Sequence, residues 1–298
     1  MQKEDKRKKE GFQGQKAIVI PRKILNELCA SDPLIAITYI TDVGYYPKAL
    51  YHYRERPQGA DQHILIYCHE GRGNATVNNT RYDIAPGDFF VVPLKTAHTY
   101  AASEDNPWTI YWVHFKGTHA SPLLSQLNDK IGANTGFIKY PDKAIALFNE
   151  MYNELARGYG IDHLRYASIC LFQFLTTFIY NEKYGPSNNS TTRSEVDVAI
   201  DFMKQRVDQN LSLADIAACA NLSPSHFAVT FKKKTGFSPI EYFNHLKVQK
   251  ACQYLLFTTL RIREIALELG MGDAYYFSRM FTKVMGMSPV SYREKRIH

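Results

Sequence analysis

The stretch from Leu211 to Arg293 contains nearly the same segment twice, and this repeat limits what the chain can fold into more than any other feature. The two copies are offset by 49 residues at first and by 50 from Phe227 onward. The matched pairs are Ile216-Ala217 with Ile265-Ala266, Phe227 with Phe277, Phe231 with Phe281, Gly236 with Gly286, Ser238-Pro239 with Ser288-Pro289, and Tyr242 with Tyr292. Such agreement indicates a duplicated supersecondary unit.

Each copy has the pattern of two short helices joined by a tight turn. In the first copy, apolar residues recur at helical spacing up to Ala220, and Ser223-Pro224 then begins a second helix that ends at Gly236. In the second copy, Gly270-Met271-Gly272 forms the turn and Asp273 caps the next helix. The sequence therefore predicts helix-turn-helix units at residues 211–236 and 260–286.

Two runs of the repeat carry a family resemblance. They are LADIAACANLSPSHFAVTFKKKTGFSPIEYF and IREIALELGMGDAYYFSRMFTKVMGMSPVSYR. Both resemble the DNA-binding segments of the AraC/XylS transcription regulators. This resemblance implies an all-α domain at residues 194–298, in which a long helix from about Pro239 to Leu256 joins the two units. It also implies that the second helix of each unit enters the major groove of double-stranded DNA. Two ordinary helical hairpins are the alternative.

The charge distribution favours DNA binding independently of the resemblance. Residues 221–298 contain twelve Lys and Arg against five Asp and Glu, whereas residues 194–220 contain two basic and five acidic residues. Positive charge is thus concentrated where the second helices lie, as phosphate binding requires. For Lys232-Lys233-Lys234 alone, a solvated helix end favoured by the helix dipole is the other interpretation.

Side chains on the outer face of each second helix are the candidates for contact with DNA. They are Ser223, Ser225, Ala228, Val229, Lys232 and Lys233 in the first unit, and Asp273, Tyr275, Ser278, Arg279 and Lys283 in the second. Arg279 suits a guanine edge, whereas Ala228 and Val229 can only touch thymine methyl groups. We therefore predict that the two units read sequence unequally. Of Tyr275 and Tyr276, we expect one to be a packing residue.

Composition restricts the remaining function classes. No apolar run approaches the ~18 residues of a membrane-spanning helix, so no membrane association is expected. The charged start MQKEDKRKKE has no apolar segment after it, which indicates a disordered tail and no secretory signal. The five scattered cysteines without a CxxC motif are typical of free thiols in a reducing cytoplasm.

The first half of the chain has an all-β rhythm. A strand-like run at Ile35–Ile40 and later runs of four to eight residues are separated by turns such as Asn78-Asn79 and Pro86-Gly87-Asp88. The segment EGRGNATVNNTRYDIAPGDFFVVPLKTAHTY resembles a cupin-type jelly-roll barrel, which AraC-type regulators commonly carry as an effector domain. We assign this barrel to residues 16–135 and describe the fold class as multidomain α+β.

Many cupins bind a metal through a His-x-His, a following Glu and a later His. Here His63 and His98 stand alone, and His69-Glu70 lacks the required spacing. We therefore expect no metal, no cofactor and no catalytic residue, and interpret His98 and His114 as partly buried, hydrogen-bonded histidines.

Residues 136–185 change to a helical period. Pro141–Tyr159 is amphipathic, and Asp162–Tyr184 is apolar on nearly every side, so it must be covered. The resemblance implies that helices here pair two subunits into a homodimer, and burial within one chain is the alternative. The polar run Gly185–Thr192, rich in Gly, Pro, Ser and Asn, predicts a linker, assigned to residues 186–193, that allows the two halves to change their relative orientation.

The resemblance also suggests effector-binding residues. The Arg56-Pro57-x-Gly59 stretch resembles the arginine-bearing strand entry of sugar-sensing members, and His98, Tyr100 and Trp112 match the neighbourhood of their ligand contacts. Arginine donors and a flat aromatic face suit a carbohydrate or similar small polar metabolite. Ile110 replaces a polar position of that pattern. Trp108 and Trp112 as barrel core is the alternative.

The leading hypothesis is a DNA-binding transcription regulator controlled by a small-molecule effector. A cupin enzyme fused to a DNA-binding module and a constitutive DNA binder without effector are the two alternatives. No nucleophile-elbow or phosphate-loop motif supports an enzyme.

Overall fold

The computed structural model describes residues 6–185 and 194–295. The predicted linker at residues 186–193 lies outside them. Contacts between residues divide the chain into two compact units, Met1–Ser187 and Asn188–His298. Within the described residues, no helix is both long enough and apolar enough to cross a membrane.

In its described residues, the first unit contains ten strands in two antiparallel sheets. In chain order they are β1 (Lys16–Val19), β2 (Tyr39–Tyr46), β3 (Tyr53–Arg56), β4 (His63–Glu70), β5 (Gly73–Val77), β6 (Thr80–Ile84), β7 (Asp88–Val92), β8 (His98–Ala102), β9 (Thr109–Lys116) and β10 (Thr135–Phe137). One sheet has the order β1-β2-β9-β4-β7-β10 and the other β3-β8-β5-β6. This arrangement confirms the predicted β-rich, jelly-roll-like domain.

The central strands of the six-stranded sheet are buried on both faces. In β4 the first six residues are all buried, and β9 is nearly as enclosed. One face of these strands packs against the four-stranded sheet and the other against helices. Continuous apolar runs, and not strict alternation, are typical of such strands.

Short helices and turns complete the first unit. They are α1 (Arg22–Ile24) with a following π-helical turn (Leu25–Cys29), α2 (Ala120–Ile131), α3 (Asp142–Ala156), α4 (Ile161–Ile179) and a 3-10 turn (Asn181–Tyr184). The sequence pattern did not predict α2. The Asn78-Asn79 hairpin turn is confirmed, since both residues adopt positive φ between β5 and β6.

Two local predictions for this unit are wrong. The expected strand at Ile35–Ile40 is mostly turn, because the Asp32 carboxylate accepts hydrogen bonds from the backbone N–H groups of Leu34 and Ile35, at 2.9 and 3.1 Å. Of the expected disordered tail at residues 1–10, residues 1–5 lie outside the described part of the chain, and residues 6–8 contact the barrel. There the Lys8 N–H donates to the Tyr51 carbonyl at 2.8 Å.

Most of the apolar surface of α4 is buried within its own chain. The Phe178 ring lies 5.0 Å from that of Phe89 on the six-stranded sheet, measured between centroids. A stripe formed by Tyr166, Ile169 and Phe172 remains exposed, with Ile169 exposed by 63%. Burial within the chain therefore accounts for one face of α4, and the stripe is what remains for a partner.

The second unit is entirely helical in its described residues. It contains α5 (Glu195–Gln205), α6 (Leu213–Ala218), α7 (Pro224–Thr235), α8 (Pro239–Phe257), α9 (Ile262–Glu268), α10 (Ala274–Met285) and α11 (Pro289–Glu294). The helices α6–α7 and α9–α10 are the two predicted helix-turn-helix units, and α8 is the predicted joining helix. Each helix-turn-helix unit has its own hydrophobic core, built around Phe227 and Phe231 in the first and around Phe277 and Phe281 in the second.

A buried lysine in α8 connects the two cores. Lys247 is 2% exposed, and its ammonium group donates to the carbonyl oxygens of Val207 at 2.8 Å, Gln209 at 2.7 Å and Leu269. The first two carbonyls precede the first helix-turn-helix unit, and Leu269 lies in the turn of the second. Burial lowers the pKa of Lys247 to about 8, so the side chain keeps its proton at neutral pH.

We predict that Lys247→Met lowers the free energy of unfolding of the second unit by about 1 to 3 kcal/mol, because buried carbonyls lose their donor. Calorimetric unfolding of the full-length protein measures the change. The exposed Lys204→Met is the matched control. Equal stability of the two variants would show that the ammonium–carbonyl hydrogen bonds make no net contribution to the free energy of unfolding.

Candidate functional site

A cavity of about 260 Å³ lies between the two sheets of the first unit. It is lined by Tyr46, His52, Arg54, Arg56, Ile66, Tyr100, Ile110, Trp112 and His114. This figure includes the mouth of the cavity, which opens to solvent; as the side chains stand, the interior is narrow and has room for about one water-sized group. Three of the four sequence-predicted effector residues, Arg56, Tyr100 and Trp112, meet here.

Strand alternation explains which side chains reach the cavity. His52, Arg54 and Arg56 are spaced by two along β3 and the residue before it, so they share one face. On the neighbouring strand β8, Tyr100 lies opposite Arg54 and His98 lies opposite Arg56. The two arginines therefore enter the cavity side by side.

His98, the fourth predicted effector residue, does not line the cavity. Its Nδ1–H donates to the Thr96 carbonyl at 2.7 Å, so its Nε2 is free to accept from the Arg56 guanidinium at 3.1 Å. Arg56 also donates to the Tyr100 hydroxyl at 3.4 Å. His98 thus fixes the orientation of the Arg56 side chain from the neighbouring strand β8.

Trp112 is 8% exposed and forms one wall of the cavity. It pairs with Gly44 across the β2–β9 ladder, and a side-chain carbon at Gly44 would overlap the indole ring. Among the residues that the structure describes, the Trp112 Nε1–H has no hydrogen-bond partner. Because a buried unpaired donor costs about 1 to 3 kcal/mol, this group marks a position where a ligand acceptor would be stabilised.

His52 is a cavity residue that the sequence reasoning missed. It is 2% exposed, and its ring packs 5.3 Å from those of Phe12 and Tyr46, centroid to centroid. The Nδ1 atom accepts from the Trp108 Nε1–H at 3.2 Å, and burial lowers the pKa of His52 to about 3. Arg54 was missed as well, and the only available signal for both was their even spacing from Arg56 along the chain.

His114 forms the polar corner of the cavity. Its Nδ1 lies 3.4 Å from the Asp42 carboxylate, and the Gln62 amide is 3.3 Å away. Burial lowers the pKa of His114, although the Asp42 hydrogen bond opposes the shift. For Asp42, burial is outweighed by hydrogen bonds from His114 and Thr41, so its pKa lies below the ordinary value. Buried, hydrogen-bonded histidines agree with the expectation for His98 and His114.

Metal binding finds no support in the described residues. Within them, no group of three or more His, Cys, Asp or Glu side chains could hold a metal ion. His63, the histidine considered for a cupin metal site, instead accepts from the Leu94 N–H at 3.2 Å and contacts the Ser121 hydroxyl at 3.0 Å.

The second candidate surface is formed by the outer faces of α7 and α10. On α10, Tyr275 is 84% exposed, and Arg279 and Lys283 lie one and two turns further along. The Asp273 carboxylate caps this helix by accepting from the N–H groups of Tyr275 and Tyr276. Tyr276 is also exposed, so the expectation that one of the two tyrosines packs in the core is wrong.

Helix α7 offers a less polar surface. Ser225 is exposed, Ala228 is half-buried, and Val229 is 69% exposed. Ser223 precedes the helix as predicted, and Pro224 takes the first helical position, but the Ser223 side chain makes no capping hydrogen bond. On α10, the Ser278 hydroxyl donates to the Ala274 carbonyl at 2.9 Å.

The three consecutive lysines of α7 differ in their surroundings. Lys234 pairs with the Asp197 carboxylate of α5 at 2.8 Å and also contacts Ser194. Lys232 and Lys233 are exposed, and within the described residues neither forms an ion pair. They are therefore available to an external anion such as a phosphate group, whereas Lys234 holds α7 against α5.

Comparison with known proteins agrees with both surfaces. A family model described as a helix-turn-helix domain matches residues 216–295, and one described as an AraC-like ligand binding domain matches residues 43–157. The chain is 33% identical over 283 residues to the MmsAB operon regulatory protein of Pseudomonas aeruginosa, covering 93% of this chain and 89% of that protein.

Two further relatives are operon regulators. The lactose operon transcription activator of Staphylococcus xylosus is 28% identical, covering 77% of this chain and 83% of that protein. The arabinose operon regulatory protein of Salmonella typhimurium is 26% identical, covering 80% of this chain and 86% of that protein. With a ligand-binding domain ahead of a helix-turn-helix domain, the chain belongs to the AraC family of transcription regulators.

Proposed function

We propose that a small polar metabolite such as a carbohydrate binds in the cavity between the sheets and controls DNA binding by the second unit. The observation that carries this proposal is the convergence of Arg56, Tyr100 and Trp112 on one cavity. A guanidinium group donates to hydroxyl oxygens, and an indole face packs against the C–H face of a sugar ring. The arabinose and lactose operon relatives support this class of ligand.

The barrel senses its ligand without transforming it in this proposal. The relatives that match most of the chain are operon regulators, which supports a regulatory role over that of a cupin enzyme. A constitutive DNA binder would have no ligand in this cavity. Two residues that line it, His52 and Trp112, each have a buried ring nitrogen without a partner among the described residues, which supports a ligand instead. Action in the cytoplasm, where bacterial DNA lies, follows from the DNA-binding role.

We predict that Arg56→Ala and Trp112→Ala each weaken effector binding and the transcriptional response at least about tenfold, because a charge-assisted hydrogen bond or a packing face is lost. A reporter assay and thermal shift with a metabolite panel measure both effects. Arg81→Ala, on the exposed strand β6, is the control. An unchanged response in both cavity variants would place the effector site elsewhere.

We also propose that the chain forms a homodimer through the outer face of α4. The exposed stripe Tyr166, Ile169 and Phe172 is apolar, and it is continuous on one side of a helix whose other side is anchored to the barrel. An apolar stripe of this kind is typical of a helix that packs against another helix. A dimer would allow the protein to occupy two operator half-sites.

Ile169→Glu should convert the full-length protein to a monomer at micromolar concentration, because a carboxylate would be buried in the apolar interface. Light scattering measures the mass. Leu34→Glu introduces the same charge at another exposed apolar position of the first unit and should leave the dimer intact. A monomeric unmodified protein, with and without effector, would rule out this interface.

We further propose that α10 reads more sequence than α7. Arg279 is exposed at the centre of α10 and is suited to a bidentate contact with guanine, with Tyr275 one turn before it. The positions of α7 that correspond to Tyr275, Ser278 and Arg279 are Ser225, Ala228 and Val229, and the last two have no side-chain hydrogen-bonding groups. Lys232, Lys233 and Lys283 fit phosphate contacts, which orient the protein and carry little sequence information.

Arg279→Ala should cost about 1 to 3 kcal/mol and relax specificity in one half of the site. Lys232→Ala should weaken all sequences alike and lower the slope of the salt dependence by about one unit. Binding to randomised operators at several salt concentrations measures both effects, with Lys204→Ala on α5 as the control. Equal sequence preference in the two halves of the binding site would contradict the proposal that α10 reads more sequence than α7.

A further inference from the structure

The cavity holds more positive than negative charge. Arg54 and Arg56 both line it, and within the described residues neither forms an ion pair with a carboxylate. The nearest buried carboxylate is Asp42, and its Oδ2 already accepts from the Thr41 hydroxyl at 2.7 Å and lies 3.4 Å from both Gln62 Nε2 and His114 Nδ1.

Other charged groups near the cavity do not cancel this excess. Glu55 lies on the opposite face of β3, where it accepts from the Tyr53 hydroxyl at 2.9 Å. Glu10 is exposed near the N-terminus, and its negative charge adds to the effect of burial in raising the pKa of Tyr46. Burial lowers the pKa values of the cavity histidines His52 and His114, which are therefore neutral near pH 7. Two guanidinium groups against one buried carboxylate leave one positive charge in excess.

Two residues that line the cavity each have a buried side-chain nitrogen atom, Trp112 Nε1 and His52 Nε2, without a hydrogen-bond partner among the described residues. The indole nitrogen is always a donor. The His52 ring is neutral and its Nδ1 accepts from Trp108, so the single ring proton is on Nε2. Both unpaired groups are therefore N–H donors, and both belong to side chains that are more than nine-tenths buried.

We infer that the effector is a small hydroxy acid whose carboxylate is held by Arg54 and Arg56 and accepts from the unpaired N–H groups of His52 and Trp112. This inference rests on the proposed effector cavity and specifies its ligand. A carboxylate has two oxygens and about four lone-pair positions and accepts from guanidinium groups with good geometry. The ligand hydroxyls would face Tyr100 and His114.

The charge balance favours a carboxylate over the other ligand classes. A neutral polyol would leave one of the two guanidinium charges without a counter-charge. A phosphate monoester carries a charge of about −1.5 to −2 at pH 7, which exceeds the single positive charge available. A carboxylate carries one negative charge and matches the excess.

Matched ligand pairs test this inference on the full-length protein. We would compare glycerol with glycerate, glucose with gluconate and galactose with galacturonate, and include glycerol 3-phosphate, by thermal shift and isothermal titration calorimetry. At least one acid should bind saturably, and at least about tenfold more tightly than its neutral counterpart.

Two substitutions separate the contributions of charge and of the unpaired donors. Arg54→Gln should remove the preference for the acid, and Arg54→Lys, which keeps the charge, should retain part of it. Trp112→Phe keeps a flat ring but removes the N–H, so binding of the acid should weaken at least about threefold. Arg81→Gln is the control, because Arg81 is exposed on the same domain. Circular dichroism and unliganded melting temperatures show whether each variant is folded.

The possible outcomes decide between the proposals. If a neutral member binds as tightly as its acid, the carboxylate is ruled out while the effector cavity stands. Tighter binding of glycerol 3-phosphate than of glycerate would replace the carboxylate with a phosphate. If no acid binds, this inference is wrong, and the response of Arg56→Ala in the reporter assay still judges the cavity by itself. An equal loss in Arg81→Gln would show nonspecific attraction and would also overturn the inference.

Discussion

The six-stranded sheet is buried on both of its faces, and the rest of the first unit depends on this constraint. Along β9, Ile110, Trp112 and His114 face the cavity, whereas Tyr111 and Val113 face the helices. The Tyr111 ring lies 4.9 Å from that of Phe148 on α3, centroid to centroid. The wall of the cavity and the platform for the helices are thus opposite sides of the same strand.

This double burial has a consequence for the polar groups inside the barrel. A polar side chain between two packed sheets must find a partner, because an unpaired buried group costs free energy. Asp42, His98 and Arg56 meet this requirement through hydrogen bonds within the protein. Within the described residues, His52 Nε2 and Trp112 Nε1 do not, and both side chains line the cavity. Buried donors without a partner favour the binding of a ligand that has suitable acceptors.

The second unit meets the same requirement in a different way. Lys247 is buried between the two helix-turn-helix units, and three backbone carbonyl oxygens surround its ammonium group. A buried charge is tolerated when hydrogen bonds replace its hydration. Two of these carbonyls lie next to the first helix-turn-helix unit and the third lies in the second. Lys247 therefore helps to hold α7 and α10 at fixed positions along α8. The buried charge thus links the two helix-turn-helix units from within the core of the second unit.

The sequence by itself determined the helix-turn-helix repeat, its joining helix and the β-rich character of the first unit. Those features depend on local signals: apolar spacing, Ser-Pro and Asp caps, and Asn-Asn and Pro-Gly-Asp turns. Only the tertiary structure decided that His52 and Arg54 join Arg56 in the cavity, because this requires the pairing of β3 with β8 and the facing of the two sheets. It also decided that Ile35 belongs to a turn, since the Asp32 carboxylate competes for its backbone N–H, and that one stripe of α4 stays exposed, since the sheet covers the rest. Spacing along a chain reports which residues share a face, and only packing between distant segments reports what that face meets.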